Sequence, residues 1–412
     1  MRRVRANIPK EAAIAAISAK STIPEGDGNP SRAPRSREPR PIPTFAKAER
    51  SAMIPRRRAP AVSNSRGSVR GAWEVVGEES ALRHVRVIGL FSHRMPELPD
   101  VTVYVEHLDR LVRGEVLRKV RLASPFVVRS VTPPLQNVEG RRLLGVTRLG
   151  KRLVFSFEEN LFLALHLMVA GRLKWKAPDT PIPKRVGLLA LDFDAGTLLL
   201  TEASPKKRAW LRLVAGEDAL AALDPGGLEP LGATREEFTA RLRSENHTLK
   251  RALTDPTLFS GIGNAYSDEI LHAAKLSPVA LTSRLSDAEV ARLHDATKKT
   301  LLDWTERLRR DAGEKFPEKV TAFRPEMAVH GKYGVPCPAC ATRVQRIVYA
   351  DNETNYCPAC QTGGKLLADR SLSRLLHGDW PKSLEEMEER KDAARGDRPP
   401  PAGLKARRPS GA

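Results

Sequence analysis

Cysteine is nearly absent from this 412-residue chain: there are four, all between Cys337 and Cys360. So sparse and clustered a set excludes a disulfide-stapled secreted scaffold, and in a reducing compartment it points to metal binding. Long apolar runs are missing too. No stretch reaches the ~18 residues of a spanning helix, and nothing near Met1 combines a charged start with a secretory apolar core. The chain therefore reads as soluble and cytoplasmic, with no membrane span. Acidic residues are in deficit, 49 against 69 Lys and Arg, giving a net charge of +20. Such a surface attracts polyanions, nucleic acid or an acidic membrane face, and charge alone does not choose between them. Internal repeats are absent as well.

The basic surplus is uneven. Residues 1–94 hold 19 Lys and Arg against 8 Asp and Glu, are rich in Pro and Ser, and show no sustained apolar period. They read as a disordered basic extension. Three accounts compete for it: an upstream start codon chosen in error, a basic arm on nucleic acid, or an Arg-rich targeting peptide. Order begins at Met95. Pro99 and Asp100 open a helix on which Val101, Tyr104, Val105, Leu108 and Val112 recur at helical spacing until Gly114. Strand patterns follow. Leu153 to Phe157 and Leu161 to Leu167 read as one hairpin, Leu188 to Phe193 and Leu198 to Thr201 as another, together predicting a two-sheet sandwich. After Gly227 the pattern is helical, with capping boxes at Thr234/Glu237 and Ser286/Glu289 and a long helix carrying Val290, Leu293, Leu301 and Trp304. A short helix is predicted from Leu366 to Leu376, followed by a charged tail.

Two motifs carry chemistry. Cys337, Cys340, Cys357 and Cys360 form two C-x2-C knuckles separated by 16 residues, the spacing of a tetrahedral zinc ribbon. Four protein ligands leave no open position, so one Zn²⁺ there would be structural. Arg343 and Arg346 fall on the intervening hairpin, as phosphate contacts or as solvated charges. Lys250 precedes the segment Leu258-Phe259-Ser260-Gly261-Ile262-Gly263-Asn264-Ala265-Tyr266. Paired glycines let the backbone turn and offer N–H groups to a phosphate, with Asn264 as an added donor at a helix start. A plain helix-capping loop fits the same residues.

The run Met95-Pro96-Glu97-Leu98-Pro99-Asp100 resembles the amino terminus of the formamidopyrimidine-DNA glycosylase and endonuclease VIII family. Lys151 in Gly150-Lys151-Arg152-Leu153, His166-Leu167-Met168, Gly261 to Tyr266 and Cys337 to Gln361 resemble later family motifs in the same order. The resemblance implies an α+β protein: an N-terminal β-sandwich (95–225), a helix-two-turn-helix domain (226–322), a four-cysteine zinc finger (323–366) and a tail (367–412). It also implies a bacterial-type monomer that removes oxidised bases such as 8-oxoguanine and formamidopyrimidines from damaged double-stranded DNA, held at the nucleoid by that DNA. In that chemistry the secondary amine of Pro96 attacks C1′ and forms a Schiff base, Glu97 donates a proton, and Lys151 holds phosphate and joins the elimination. An α-amino group titrates near ~8, so a useful fraction is unprotonated at neutral pH. The target base must be flipped out of the duplex. Within a longer chain Pro96 is a tertiary amide with no lone pair to attack, which favours a working start at Met95.

Two departures bear on the site. Where the family has Asp-Pro-Arg-Arg-Phe-Gly, this chain has Ser204-Pro205-Lys206-Lys207-Arg208-Ala209. The Phe that helps fill the gap is absent, Val169 stands at the aligned wedge position beside Met168, and Lys207 and Arg208 are candidate strand contacts. The family's arginine before the third cysteine corresponds to Asn352, which supplies neither charge nor a bidentate fork, so weaker phosphate grip and incomplete δ-elimination are expected. Rival readings are an oxidised-pyrimidine glycosylase of the same family and a non-catalytic zinc protein that binds damaged DNA.

Overall fold

A computed structural model describes residues 95–318, 324–349 and 352–368, with isolated positions between 381 and 389. The basic extension lies outside these residues, as does most of the helix expected from Leu366 to Leu376; Leu366 to Ala368 are not helical.

Helix α1 (Leu98–Val112) begins where Asp100 accepts the Glu97 N–H at 3.0 Å, and it ends before Gly114, at φ +85°. Pro99 sits in the first turn, where a missing N–H costs nothing. The sandwich follows as β1 (Lys119–Leu122), β2 (Leu143–Leu149), β3 (Arg152–Phe157), β4 (Leu161–His166), β5 (Gly171–Lys176), β6 (Gly187–Asp192), β7 (Thr197–Glu202) and β8 (Trp210–Ala215). These pair into two four-stranded sheets, ordered β1-β6-β7-β5 and β2-β3-β4-β8, antiparallel at every pairing. Phe155, Phe157, Leu163, Leu191, Phe193 and Leu200 fill the space between them. Each such side chain removed from water contributes roughly 1.5–3 kcal/mol. Strand β4 reads as an unbroken apolar run because both its faces are covered: Leu163 faces the main core, while Phe162 and Ala164 meet Val154, Trp210, Leu220 and Leu223.

A short helix α2 (Glu217–Ala221) leads to the helical half: α3 (Arg235–Arg243), α4 (Leu249–Thr254), α5 (Asn264–Ala273) and α6 (Asp287–Ala312). Both expected capping boxes are present, the Thr234 and Ser286 hydroxyls accepting from Glu237 and Glu289 N–H while those carboxylates reach back. Phe238, Phe259, Tyr266, Leu293 and Trp304 form the core of this half, and Leu98 from α1 joins it. Helix α1 is thus shared: Leu98 packs with the helices, Tyr104 with the sandwich. Asp109 on α1 accepts from Val146 N of β2 at 2.9 Å, and Glu106 pairs with Arg309 of α6 at 2.5 Å. The hairpin β9 (Gln345–Tyr349) and β10 (Asn352–Tyr356) lies between the cysteine knuckles, and α7 (Pro358–Thr362) spans the second. Among the described residues no helix is long and apolar enough to cross a membrane.

Candidate active site and DNA interface

The first turn of α1 and the first turn of α5 meet, although 166 positions separate Glu97 from Gly263. Leu98 N–H donates to the Gly261 carbonyl at 2.9 Å. Glu97 Oε2 accepts from the amides of Gly263 (2.7 Å) and Tyr266 (3.2 Å), and Oε1 from Ala265 (2.8 Å). A helix start leaves its first N–H groups unpaired and carries a partial positive charge, so it attracts an anion. Here that anion is the buried Glu97 carboxylate, and the N–H groups the motif offers are used inside the protein. The glycines are what permit this approach. Gly261 adopts φ +77°, and a Cβ on Gly263 would lie 2.5 Å from Glu97 Cδ and 2.7 Å from Lys151 Nζ.

Lys151 reaches the same point from the sandwich. With Gly150, at φ +61°, it forms the two-residue turn between β2 and β3, where Leu149 pairs with Arg152. Burial pushes its ammonium below the usual lysine range; the Glu97 charge opposes this and the Lys250 charge adds to it. Lys250 itself points inward, Nζ donating to the Asn264 carbonyl at 2.6 Å and pairing with Asp268 Oδ1 at 2.5 Å. Asn264 donates through Nδ2 to the Glu353 carbonyl of β10 at 2.9 Å.

Two cavities flank these residues. One, of about 430 Å³, is lined by Asp100, Val103, Leu308, Lys315, Phe316 and Arg324 among others. Asp100 is one helical turn from Glu97; burial lifts its carboxyl to about 7, against the Glu97 amide and Arg324, and its Oδ1 has no hydrogen-bond partner among the described residues. The other, of about 420 Å³, is basic, with Arg129, Lys206, Arg208 and Arg212 around Met168 and Trp210. It lies beside the ladder Arg152–His166–Trp210, which is in register across β3, β4 and β8. His166 stacks on Trp210 at 5.6 Å and Arg152 lies 5.6 Å over the same ring. Burial first, then the charges of Arg152 and Lys151, lower His166 to about 4, so the ring is neutral. Its Nδ1 accepts the Met168 N–H at 2.9 Å and fixes Met168 at φ +51°. Met168, and not the aligned Val169, lines the basic cavity. In the Ser204–Ala209 loop, Glu202 accepts the amides of Arg208 and Ala209, each at 3.0 Å. Lys207 Nζ turns back onto the Glu202 carbonyl, leaving Lys206 and Arg208 exposed.

The four cysteine Sγ atoms lie within 4.8 Å of one another, with near pairs at 3.4 Å (Cys340 to Cys357 and to Cys360) and 4.0 Å (Cys337 to Cys360). Tetrahedral Zn–S bonds of ~2.3 Å place sulfurs about 3.8 Å apart, so this donor set fits zinc. His272 of α5 lies 3.2 Å from Cys337 Sγ through Nε2. Arg346 pairs with Glu353 at 3.2 Å and lies 4.4 Å over the Tyr333 ring.

Glu97, Lys151, Lys250 and Asn264, distant in sequence, therefore converge, with Arg346 joined to Asn264 through Glu353, while Arg208 borders the basic cavity. Sequence reading passed over Arg129, Trp210, Asp268, Phe316 and Arg324. Their side-chain types are ordinary and only long-range packing brings them to the site; the Glu-free apolar-basic run around Arg129 was the one weak signal.

Residues 95–207 match the family model for the formamidopyrimidine-DNA glycosylase N-terminal domain, and residues 227–310 that for its H2TH domain. The formamidopyrimidine-DNA glycosylase of Pelotomaculum thermopropionicum is 30% identical over 275 residues, 65% of this chain and 99% of that protein. That of Thermus thermophilus is 34% identical over 278 residues, 66% of this chain and 100% of the relative. An uncharacterized formamidopyrimidine-DNA glycosylase-like protein of Mycobacterium tuberculosis is 40% identical over 163 residues, 40% of this chain and 99% of its own length. Among solved structures, Lactococcus lactis Fpg in complex with abasic-site DNA superposes with a TM-score of 0.58 at 26% identity, covering 65% of this chain and 99% of that one. A Lactococcus lactis Fpg mutant with Fapy-dG-containing DNA gives 0.59 at 27% identity, covering 65% and 100%. With the cradle for Glu97, the lysine beside it and the four-cysteine knuckle in place, the chain belongs to the formamidopyrimidine-DNA glycosylase family of DNA repair enzymes.

Proposed function

We propose that this chain excises oxidised bases from duplex DNA and then cuts the strand, with Pro96 as nucleophile. The observation that carries the proposal is the anchoring of Glu97 by three α5 amides with Lys151 Nζ at the same point, one residue from Pro96. The Pro96 nitrogen pair attacks C1′, the N-glycosidic bond breaks, and the base leaves with a proton. Ring opening at O4′, with a proton supplied through Glu97, gives the iminium. Loss of a C2′ proton then expels the 3′ phosphate; water releases the sugar remnant and regenerates the amine. The cavity beside Asp100 suits a flipped base, because a carboxyl that titrates at about 7 offers either a proton or a lone pair to a polar base edge. The basic cavity suits the unpaired partner strand, with Met168 and Trp210 as stacking surfaces and Arg129, Arg208 and Arg212 for phosphate. The four cysteines would hold one Zn²⁺ that fixes the hairpin and takes no part in bond making.

This route needs an uncapped nitrogen at residue 96, and the family match begins at residue 95. The test is borohydride trapping on a duplex containing an oxidised purine, comparing the full chain with a form whose first residue is Pro96, together with the intact mass of native protein. A covalent adduct from the Pro96-exposed form alone is the expected result. Strand cutting by a form that retains the upstream segment would overturn the covalent route, and binding without an adduct from either form would make the chain a damaged-DNA-binding protein. On an abasic duplex, Asn352 leads us to expect accumulation of the once-eliminated product; full conversion to the twice-eliminated product would refute this.

A further inference from the structure

Helix α5 is held at both ends of its role. Its first amides grip Glu97, and its side chains along one flank grip the cysteine module. Asp268, fully buried, pairs with Lys250 Nζ through Oδ1 at 2.5 Å; its Oδ2 lies 2.8 Å from His330 Nδ1 and accepts Asn355 N–H at 3.2 Å. Glu269 accepts three consecutive amides, Ala328 (2.8 Å), Val329 (2.9 Å) and His330 (2.9 Å). Asn355 is two residues before Cys357, and its side-chain oxygen accepts Gly331 N–H at 2.8 Å. Lys250, on the other side of Asp268, donates to the carbonyl of Asn264, the residue after Gly263.

We propose that Asp268, with Lys250, is a positioning residue through which the cysteine module sets the place of the Glu97 carboxylate, so that metal occupancy and catalytic geometry are coupled. The inference rests on the function proposed above. Its physical ground is that, among the described residues, the module has a very small core of its own: Val329, Val344, Cys337 and Cys357 are its buried apolar cluster. So small a cluster does not hold a hairpin without cross-links, and the fit of the four sulfurs to zinc supplies them. When the cross-links go, Asn355 and the 328–330 turn lose their fixed places and Asp268 keeps only Lys250. A buried carboxylate stripped of partners drives local rearrangement. The path to Glu97 is short: Asp268, Lys250 Nζ, the Asn264 carbonyl, the Gly263 amide. Misplacement of a catalytic group by about 1 Å costs on the order of 10²-fold in rate.

Hydrogen exchange of the full chain tests this without relying on activity. The amides of Gly263, Ala265 and Tyr266 are followed in zinc-loaded protein, after chelation, and in zinc-loaded Asp268→Asn. Expected are about tenfold faster exchange after chelation and a comparable rise in Asp268→Asn with its zinc content intact, while Val290 and Leu293 on α6 stay unchanged. Unchanged exchange at the three amides in either arm overturns the proposal, and so does a parallel rise on α6, which means general loosening. Should Asp268→Asn not fold, Lys250→Met takes its place, because it leaves the module's bonds to Asp268 and breaks the link to Asn264. In single-turnover excision by the form that begins at Pro96, Asp268→Asn should lose about tenfold in rate with affinity for an abasic-analogue duplex within twofold. Absence of excision by the wild-type form that begins at Pro96 strikes the proposed function and leaves the exchange data to decide this one.

Discussion

A methyl group on Gly263 has nowhere to go, because the carboxylate of Glu97 and the ammonium of Lys151 already meet there. In the form that begins at Pro96, Gly263→Ala should therefore lower single-turnover excision by about 10²-fold while the duplex dissociation constant changes little. Equal excision rates for variant and wild type would show that the two groups do not act from these positions. Asp100 makes a different statement at the same scale. Its folded-state value is raised from 3.8 to about 7, so between those values the unfolded chain releases a proton that the folded chain keeps. Its contribution to stability accordingly falls as pH rises from about 4 to 7 and is level above. Asp100→Asn removes that dependence. The variant should gain several degrees in Tm over wild type between pH 5 and pH 8, measured as the difference between the two proteins at each pH; a difference that does not change with pH contradicts the assignment.

Helix ends supply the element-scale logic. Ser286 caps the 26-residue α6, which carries Trp304 and Leu308 to the interface with α1 and the Asp100 cavity. Ser286→Ala should cost about 1 kcal/mol in urea unfolding with an unchanged m value; a loss of excision larger than the loss of stability would mean that α6 transmits more than its packing. The start of α5 uses the same orphan amides in another way, with a carboxylate from a distant segment as its cap. Glu97 is thus the N-cap residue of α1 by position and a ligand of α5 by its side chain.

For the whole molecule, charge and metal set behaviour. Lys206 and Arg208 project from a loop pinned by Glu202 into a basic cavity. If both meet phosphate, Lys206→Ala with Arg208→Ala should reduce the slope of log K against log salt by about 2. An unchanged slope at weaker affinity would assign them to base contacts.

Metal-ligand spacing, capping boxes, hairpin turns and the helix-to-sandwich-to-helix order were legible because each is a pattern of residues near one another in the chain. The sequence by itself determined that four cysteines would cluster and that Thr234 and Ser286 would start helices. Only the tertiary structure decided that Gly263 and Ala265 would spend their amides on Glu97, that Lys250 would face Asp268, and that Met168 would border the basic cavity in place of Val169. The reason is physical. Local patterns are fixed by backbone sterics and hydrogen bonds within a few residues, whereas a buried charge finds its partners only when packing brings together segments far apart in the chain.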